Sequence, residues 1–154
     1  MTKTMSAIAL VAAASMLVAA GASRRDDADA LIAARQAGFR LMGADFGGMK
    51  AVIDARGDVK TQAFAARAIA GWAKAMPGLF PAGSDGGTTT ASAALWSDKA
   101  GFEKAAAGLA TEAGKLGDLA KAGDSDGFAA QWLVVRGQCG ACHTAYRVPE
   151  KPKG

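Results

Sequence analysis

Cys139-Gly-Ala-Cys142-His143 gathers both cysteines and the single histidine of a 154-residue chain. These residue types suit covalent attachment of a haem: two thiols add to the porphyrin vinyl groups, and the adjacent imidazole supplies an axial nitrogen to the iron. In a helix over 131–147, Cys139 and Cys142 lie three apart and Cys139 and His143 four apart, so all three project from one face. Three other chemistries fit these residues less well. A thioredoxin-like redox pair needs a β-strand before its helix start, and no segment here reads as a strand. A structural zinc site usually takes four Cys or His ligands, and the chain holds three. A plain disulfide leaves the histidine without a role.

The rest of the chain must position that face. Over 26–56, Phe39, Met42, Phe46, Met49 and Ile53 are spaced 3, 4, 3 and 4, an apolar seam that predicts a first helix facing a partner. Gly47-Gly48 predicts a weak point within it, and Gly57 a C-terminal stop. Asp58 is placed to cap a second, alanine-rich helix running to about Met76, before Pro77. Its apolar positions are Val59, Phe64 or Ala63, Ala66, Ile69 or Ala70, Ala73 or Trp72, and Met76. The stretch 77–94 reads as one long crossover, with Leu79 and Phe80 tucked beneath it. Ser97 is expected to cap a third helix ending at Gly123, and Asp124 or Ser125 to open a fourth. In that last helix Phe128, Trp132, Val135, Cys139, Cys142 and Tyr146 recur at 4, 3, 4, 3 and 4, which puts the cysteines on the core seam. Four amphipathic helices with two short connections and one long one predict an all-α, antiparallel four-helix bundle with covalently bound haem c.

Residues 1–22 read as a cleaved signal peptide. Lys3 is followed by an apolar run to Ala20, a small-x-small site at Ala20-Gly21-Ala22, and a charged stretch from Ser23. The run is too short for a membrane span, so residues 23–154 form the expected mature domain, free of the membrane and in the periplasm. Loss of Lys3 lowers the net charge from +4 to +3. The basic residues are scattered among acids, which argues against a nucleic-acid partner. Eleven residues follow His143, and none is Met, His or Cys. Bis-histidine coordination is excluded, and in the mature chain Met42, Met49 and Met76 are the methionines that could provide a sixth ligand.

Three stretches carry a resemblance: Arg35-Gln36-x-x-Phe39-x-x-Met42, Leu95-Trp96-Ser97-Asp98, and Cys139-x-x-Cys142-His143-x-x-Tyr146-Arg147. From Ala28 to Arg147 the chain resembles the cytochrome c′ family of class II c-type cytochromes. The resemblance implies one haem c held by Cys139 and Cys142 with His143 on the iron. It puts Phe39 where low-spin, cytochrome c556-like members carry a ligating methionine, and so implies a five-coordinate iron with a crowded, apolar open face that admits NO or CO. Met42 is read as packing beside the porphyrin, and is the alternative sixth ligand of a low-spin electron carrier. Arg35 and Gln36 resemble residues near the propionates, where a guanidinium would pair with a carboxylate; Gln36 equally suits a solvated face. Tyr146 is counted with the cofactor-binding residues. Arg147 resembles a residue flanking the proximal side, and equally suits a helix C-terminus. Trp96 and Phe80 fit either the macrocycle's surroundings or plain core.

Three functions compete: a diatomic-binding haem protein, an electron carrier serving periplasmic redox partners, and an enzyme with peroxidase-like activity. The last ranks lowest, because O–O cleavage needs a polar acid–base group over the iron and Phe39 has none. The expectation is therefore a non-enzyme: an electron-transfer haem protein that binds small diatomics. The resemblance also implies a homodimer through the first two helices.

Overall fold

A computed structural model describes the backbone of residues 3–149 and the side chains of residues 25–149. Four long helices form the bundle: α1 (Lys3–Asp54), α2 (Ala63–Ala75), α4 (Lys99–Ala122) and α5 (Ser125–Tyr146), with a single turn, α3 (Ala94–Ser97), before α4. The signal-peptide reading of residues 1–22 lies outside the described side chains. Among the described residues no helix is long and apolar enough to cross a membrane.

Aspartates open the helices. Asp58 accepts the Lys60 N–H at 2.9 Å and Asp124 the Gly127 N–H at 2.9 Å, as their positions predict. Asp58 begins a 3₁₀ turn, Val59–Gln62, and the α-helix follows at Ala63. At the third long helix the expected cap is off by one residue. Ser97 closes the turn of α3, and Asp98 caps α4 by accepting the Gly101 N–H at 3.1 Å. The end of α1 also differs from expectation. The left-handed residue is Arg56 (φ 51°) and not Gly57. Arg56 N–H donates to Ile53 C=O at 3.1 Å and Gly57 N–H to Val52 C=O at 2.9 Å, the paired bonds of a Schellman end one position early. Helix α1 continues through Gly47-Gly48.

The most extensive pairings are α2 with α4 and α4 with α5, while α1 touches its neighbours more sparsely. Small residues permit this. Ala66, Ala70 and Ala73 of α2 are buried in the same apolar group as Ala110, Ala113 and Ala120 of α4, and Gly117 lies close to the α2 backbone at Ala63, so the two helices approach closely. On α2 the sequence alternatives resolve by exposure: Ala63 faces inwards and Phe64 is 84% exposed.

The buried apolar residues fall into two groups. A larger one holds Met49, Val59, Ile69, Leu109, Leu116, Phe128, Trp132 and Val135; a smaller one holds Met76, Phe80, Leu95, Phe102 and Ala106. The crossover (residues 80–93) covers the smaller group. Phe80 tucks beneath it as expected, edge-on to Phe102 at 5.2 Å and to Trp96 at 6.0 Å. The Trp96 indole N–H donates to Pro81 C=O at 3.1 Å. The crossover then pairs with the chain just past α5, through an isolated antiparallel bridge between Ala91 and Arg147.

Candidate haem site

Along α5, Phe128, Trp132 and Val135 are buried, and Cys139 and Cys142 one and two turns later are half-buried free thiols. They sit at the break in the core: Cys139 packs against the larger apolar group and Cys142 against the smaller. The facing residues of α1 divide in the same way, Met42 against the larger group and Phe39 against the smaller. The pattern of the first helix and that of the last thus meet at one interruption. Burial raises both thiol pKa values, and the neighbouring Cys139 adds to the rise at Cys142. Both thiols are therefore protonated and unpaired at neutral pH.

His143 projects outwards, exposed, at an open concavity of about 460 Å³ that it lines with Thr144, Arg147, Val148 and Pro149. Desolvation and then the Arg147 cation lower its pKa. A neutral imidazole has the free lone pair that a metal requires. Tyr146 turns back towards α4, donating its O–H to Asp98 Oδ2 at 2.7 Å with its ring edge-on to Phe102 at 5.6 Å.

Arg35 is 2% exposed. Its guanidinium donates to Ser84 C=O at 2.9 Å, Ser84 Oγ at 3.2 Å and Leu79 C=O at 3.4 Å, and lies 4.3 Å above the Phe80 ring centroid. No carboxylate among the described residues pairs with it, and desolvation lowers its pKa. A buried cation held only by neutral acceptors has the chemistry of a site awaiting an anion. Gln36 Nε2 donates to Thr88 C=O at 2.9 Å, so both side chains grip the crossover.

Opposite the cysteines, the Phe39 ring meets Trp72 of α2 edge-on at 6.1 Å. The six-membered end of the Trp72 indole occupies the place a side chain at position 38 would take; a Cβ on Gly38 would overlap it. The Trp72 Nε1–H is buried without an acceptor. Lower in the bundle, Phe46 stacks on Trp132 at 4.4 Å, and the Trp132 N–H donates to Phe46 C=O at 3.1 Å.

These observations fit a haem. Two adjacent reduced thiols and a neutral imidazole share one helix end at a break in the core, and a buried guanidinium lacks a carboxylate. The comparisons agree. Residues 30–147 match the family described as Cytochrome C′. The chain belongs to the cytochrome c′ family.

Relatives within it carry two names. A cytochrome c-556 of Agrobacterium tumefaciens (strain B2A) is 36% identical over 94 residues, 59% of this chain and 73% of that protein. A cytochrome c′ of Alcaligenes xylosoxydans xylosoxydans is 33% identical over 117 residues, 73% of this chain and 89% of that one. A solved nitric oxide complex of a variant cytochrome c prime from Alcaligenes xylosoxidans superposes with a TM-score of 0.72 at 28% identity, covering 80% of this chain and 97% of that one. The cytochrome c′ family consists of electron-transfer and gas-binding haem proteins and not of conventional enzymes.

The structure places the residues singled out from the sequence in three groups: Cys139, Cys142, Phe39 and Met42 at the break, Arg35 and Gln36 against the crossover, and Tyr146, Arg147 and an outward-turned, exposed His143 at the end of α5, while Met49 and Met76 are buried in the core. Three more contribute that sequence reasoning passed over. Asp98 stood in a quoted motif, and the strong preference for aspartate at N-caps could have marked it ahead of Ser97. Trp72 shared a seam position with Ala73, and helical periodicity does not separate adjacent positions at the edge of a seam. Ser84 lies in a glycine-rich loop, where no periodic signal exists.

Proposed function

We propose that the chain is an exported c-type haem protein, with residues 1–22 removed and 23–154 acting in the periplasm. Cys139 and Cys142 hold the haem through thioethers, and His143 is its axial ligand. Bound there, a haem supplies a one-electron ferric–ferrous couple and an iron able to take up a small neutral ligand. The chain's own residues decide what reaches it. Phe39 presents a ring with no lone pair to the open face, excludes water, and leaves room for NO or CO. Arg35 offers a buried positive charge to a carboxylate, and Gln36 offers an amide beside it. The observation that carries this reading is the break in the core at Cys139 and Cys142, faced from α1 by Phe39.

Electron exchange with periplasmic redox partners and diatomic binding are compatible uses of such a site. A homodimer also suits the surface. Ala37, Leu41, Ala44, Gly48 and Ala51 form an outward stripe on α1, and Phe64, Ala68, Gly71 and Ala75 another on α2, all exposed. Small residues with Leu41 and Phe64 among them let two helix pairs approach closely.

Met42 supports a second reading, because it lies half-buried in the same apolar group as Cys139, and relatives named cytochrome c-556 stand among the matches. Optical and EPR spectra of the purified protein, with and without CO, separate the two. A high-spin ferric signal and CO uptake by the ferrous form are expected. A low-spin, methionine-ligated spectrum with no CO binding would overturn the open face and assign Met42 to the iron.

A further inference from the structure

Helix ends fray, because their last carbonyls lack partners within the helix. His143 lies three residues from the end of α5, where an axial ligand would be poorly held. The structure opposes this at the very next turn. Ser92 N–H donates to Tyr146 C=O at 2.9 Å and Val148 N–H to Thr90 C=O at 2.8 Å, fastening the main chain of 146–148 to the crossover. The Tyr146 side chain is fastened separately, to Asp98 Oδ2 at 2.7 Å. Asp98 is itself fixed, since its other oxygen, Oδ1, caps α4 through the Gly101 N–H at 3.1 Å.

One carboxylate thus performs two tasks, starting α4 and ending α5. Gly101 makes this possible: a Cβ there would overlap both Asp98 Oδ2 and the Tyr146 hydroxyl. A hydrogen bond to an ionised acceptor is short and directional, so it resists the rotation of the helix end that ring packing against Phe102 would allow.

We propose that Asp98, acting through Tyr146, is a positioning residue that fixes the orientation of the His143 imidazole. The inference rests on the proposed role of His143 as axial ligand. In this arrangement Asp98 touches neither iron nor ligand, and its effect passes along the last turn of α5. Tyr146→Phe keeps the ring and the main-chain bridge and removes only the O–H. Gly101→Ala attacks the same bond from the other helix, and Asp98→Asn keeps a cap acceptor and a group able to pair with the phenol.

The test compares these holoproteins with the parent by the iron–imidazole stretching band of the ferrous form and by amide hydrogen exchange over residues 144–147. Tyr146→Phe and Gly101→Ala are expected to shift and broaden the band and to raise exchange about fivefold, the change that one ordinary hydrogen bond produces. Asp98→Asn should fall between them and the parent. An unmoved band in Tyr146→Phe, with only a lower melting temperature in the Asp98 and Gly101 variants, would overturn the inference and leave Asp98 a helix cap. Should Gly101→Ala not fold, Tyr146→Phe decides alone. A low-spin, six-coordinate parent would instead refute the open-face reading. The spread of the haem-methyl proton shifts, which follows the His143 ring angle, then carries the comparison of the variants.

Discussion

The two walls of the proposed haem site are held by different kinds of force. On the α5 side, four hydrogen bonds converge on residues 145–148: Tyr146 O–H to Asp98, Ser92 N–H to Tyr146 C=O, Val148 N–H to Thr90 C=O, and the Ser92 hydroxyl to Ala145 C=O at 3.5 Å. On the α1 side, Phe39, Gly38 and Trp72 meet through ring faces and edges, and the one polar atom in that contact, Trp72 Nε1, has no acceptor. Hydrogen bonds fix direction, whereas apolar packing fixes volume. In the proposed site, the α5 wall needs an angle for His143. The facing wall needs a space of set size with nothing in it that could bind iron. Each wall uses the force suited to its task.

This contrast has an exception at the upper end of α1, and it can be attacked there first. Arg35 holds the crossover by three hydrogen bonds and a stacked ring. Arg35→Met should lower stability by about 3 kcal/mol, because two buried carbonyls and the Ser84 hydroxyl lose a charged donor. Chemical denaturation of the holoprotein measures it; a loss below about 1 kcal/mol would mean that shape alone holds α1 to the crossover. A smaller effect is expected at Gly38. Gly38→Ala forces the Trp72 ring away and should cost about 2 kcal/mol, as overpacking does. Trp72→Phe alone should cost less, since the smaller ring also removes an N–H that burial leaves without an acceptor. In the double variant the two costs should not add, and a double-mutant cycle reads the coupling directly. Additive costs would show that Gly38 and Trp72 do not meet in solution.

The same contrast explains what could be read in advance. Apolar periodicity marks volume, so the four helices, the seam from Phe39 to Ile53 and the placement of Cys139 and Cys142 on the core face were all legible in the sequence. Direction was not. The bond from Tyr146 to Asp98 joins residues 48 positions apart, and helical spacing says nothing about which side chains meet across helices. Ser97 and Asp98 are both good caps by type, and only the observed backbone shows that Ser97 still belongs to the preceding turn. Arg56 occupies the left-handed position although glycine stands next to it, because the last hydrogen bonds of α1 set where that helix ends. Arg35 was expected beside a carboxylate; its grip on Ser84 and Leu79 became visible only once the crossover was folded over it.

The finest test concerns the bond that ties the two helices at the proximal edge. Tyr146 is the only tyrosine in the chain, so any phenolate absorbance that appears as pH rises belongs to it. Its pKa is raised above the ordinary 10.0, first by the hydrogen bond to Asp98, then by desolvation and by the Asp98 charge. The folded protein therefore keeps a proton at a pH where the unfolded chain has lost it. Stability from this source is complete below the phenol range of the unfolded chain, about pH 10, and is lost as pH rises through the folded value. The urea midpoint of the parent should fall more steeply above that pH than the midpoint of Tyr146→Phe, and the two curves should differ by a near-constant amount from pH 7 to 9. Curves that stay parallel at every pH would show that the phenol does not lean on Asp98 in solution. The last turn would then rest on the main-chain bridge at Ala91, the Ser92 hydroxyl and the ring packing of Tyr146 on Phe102, with no bond to a carboxylate to fix its angle.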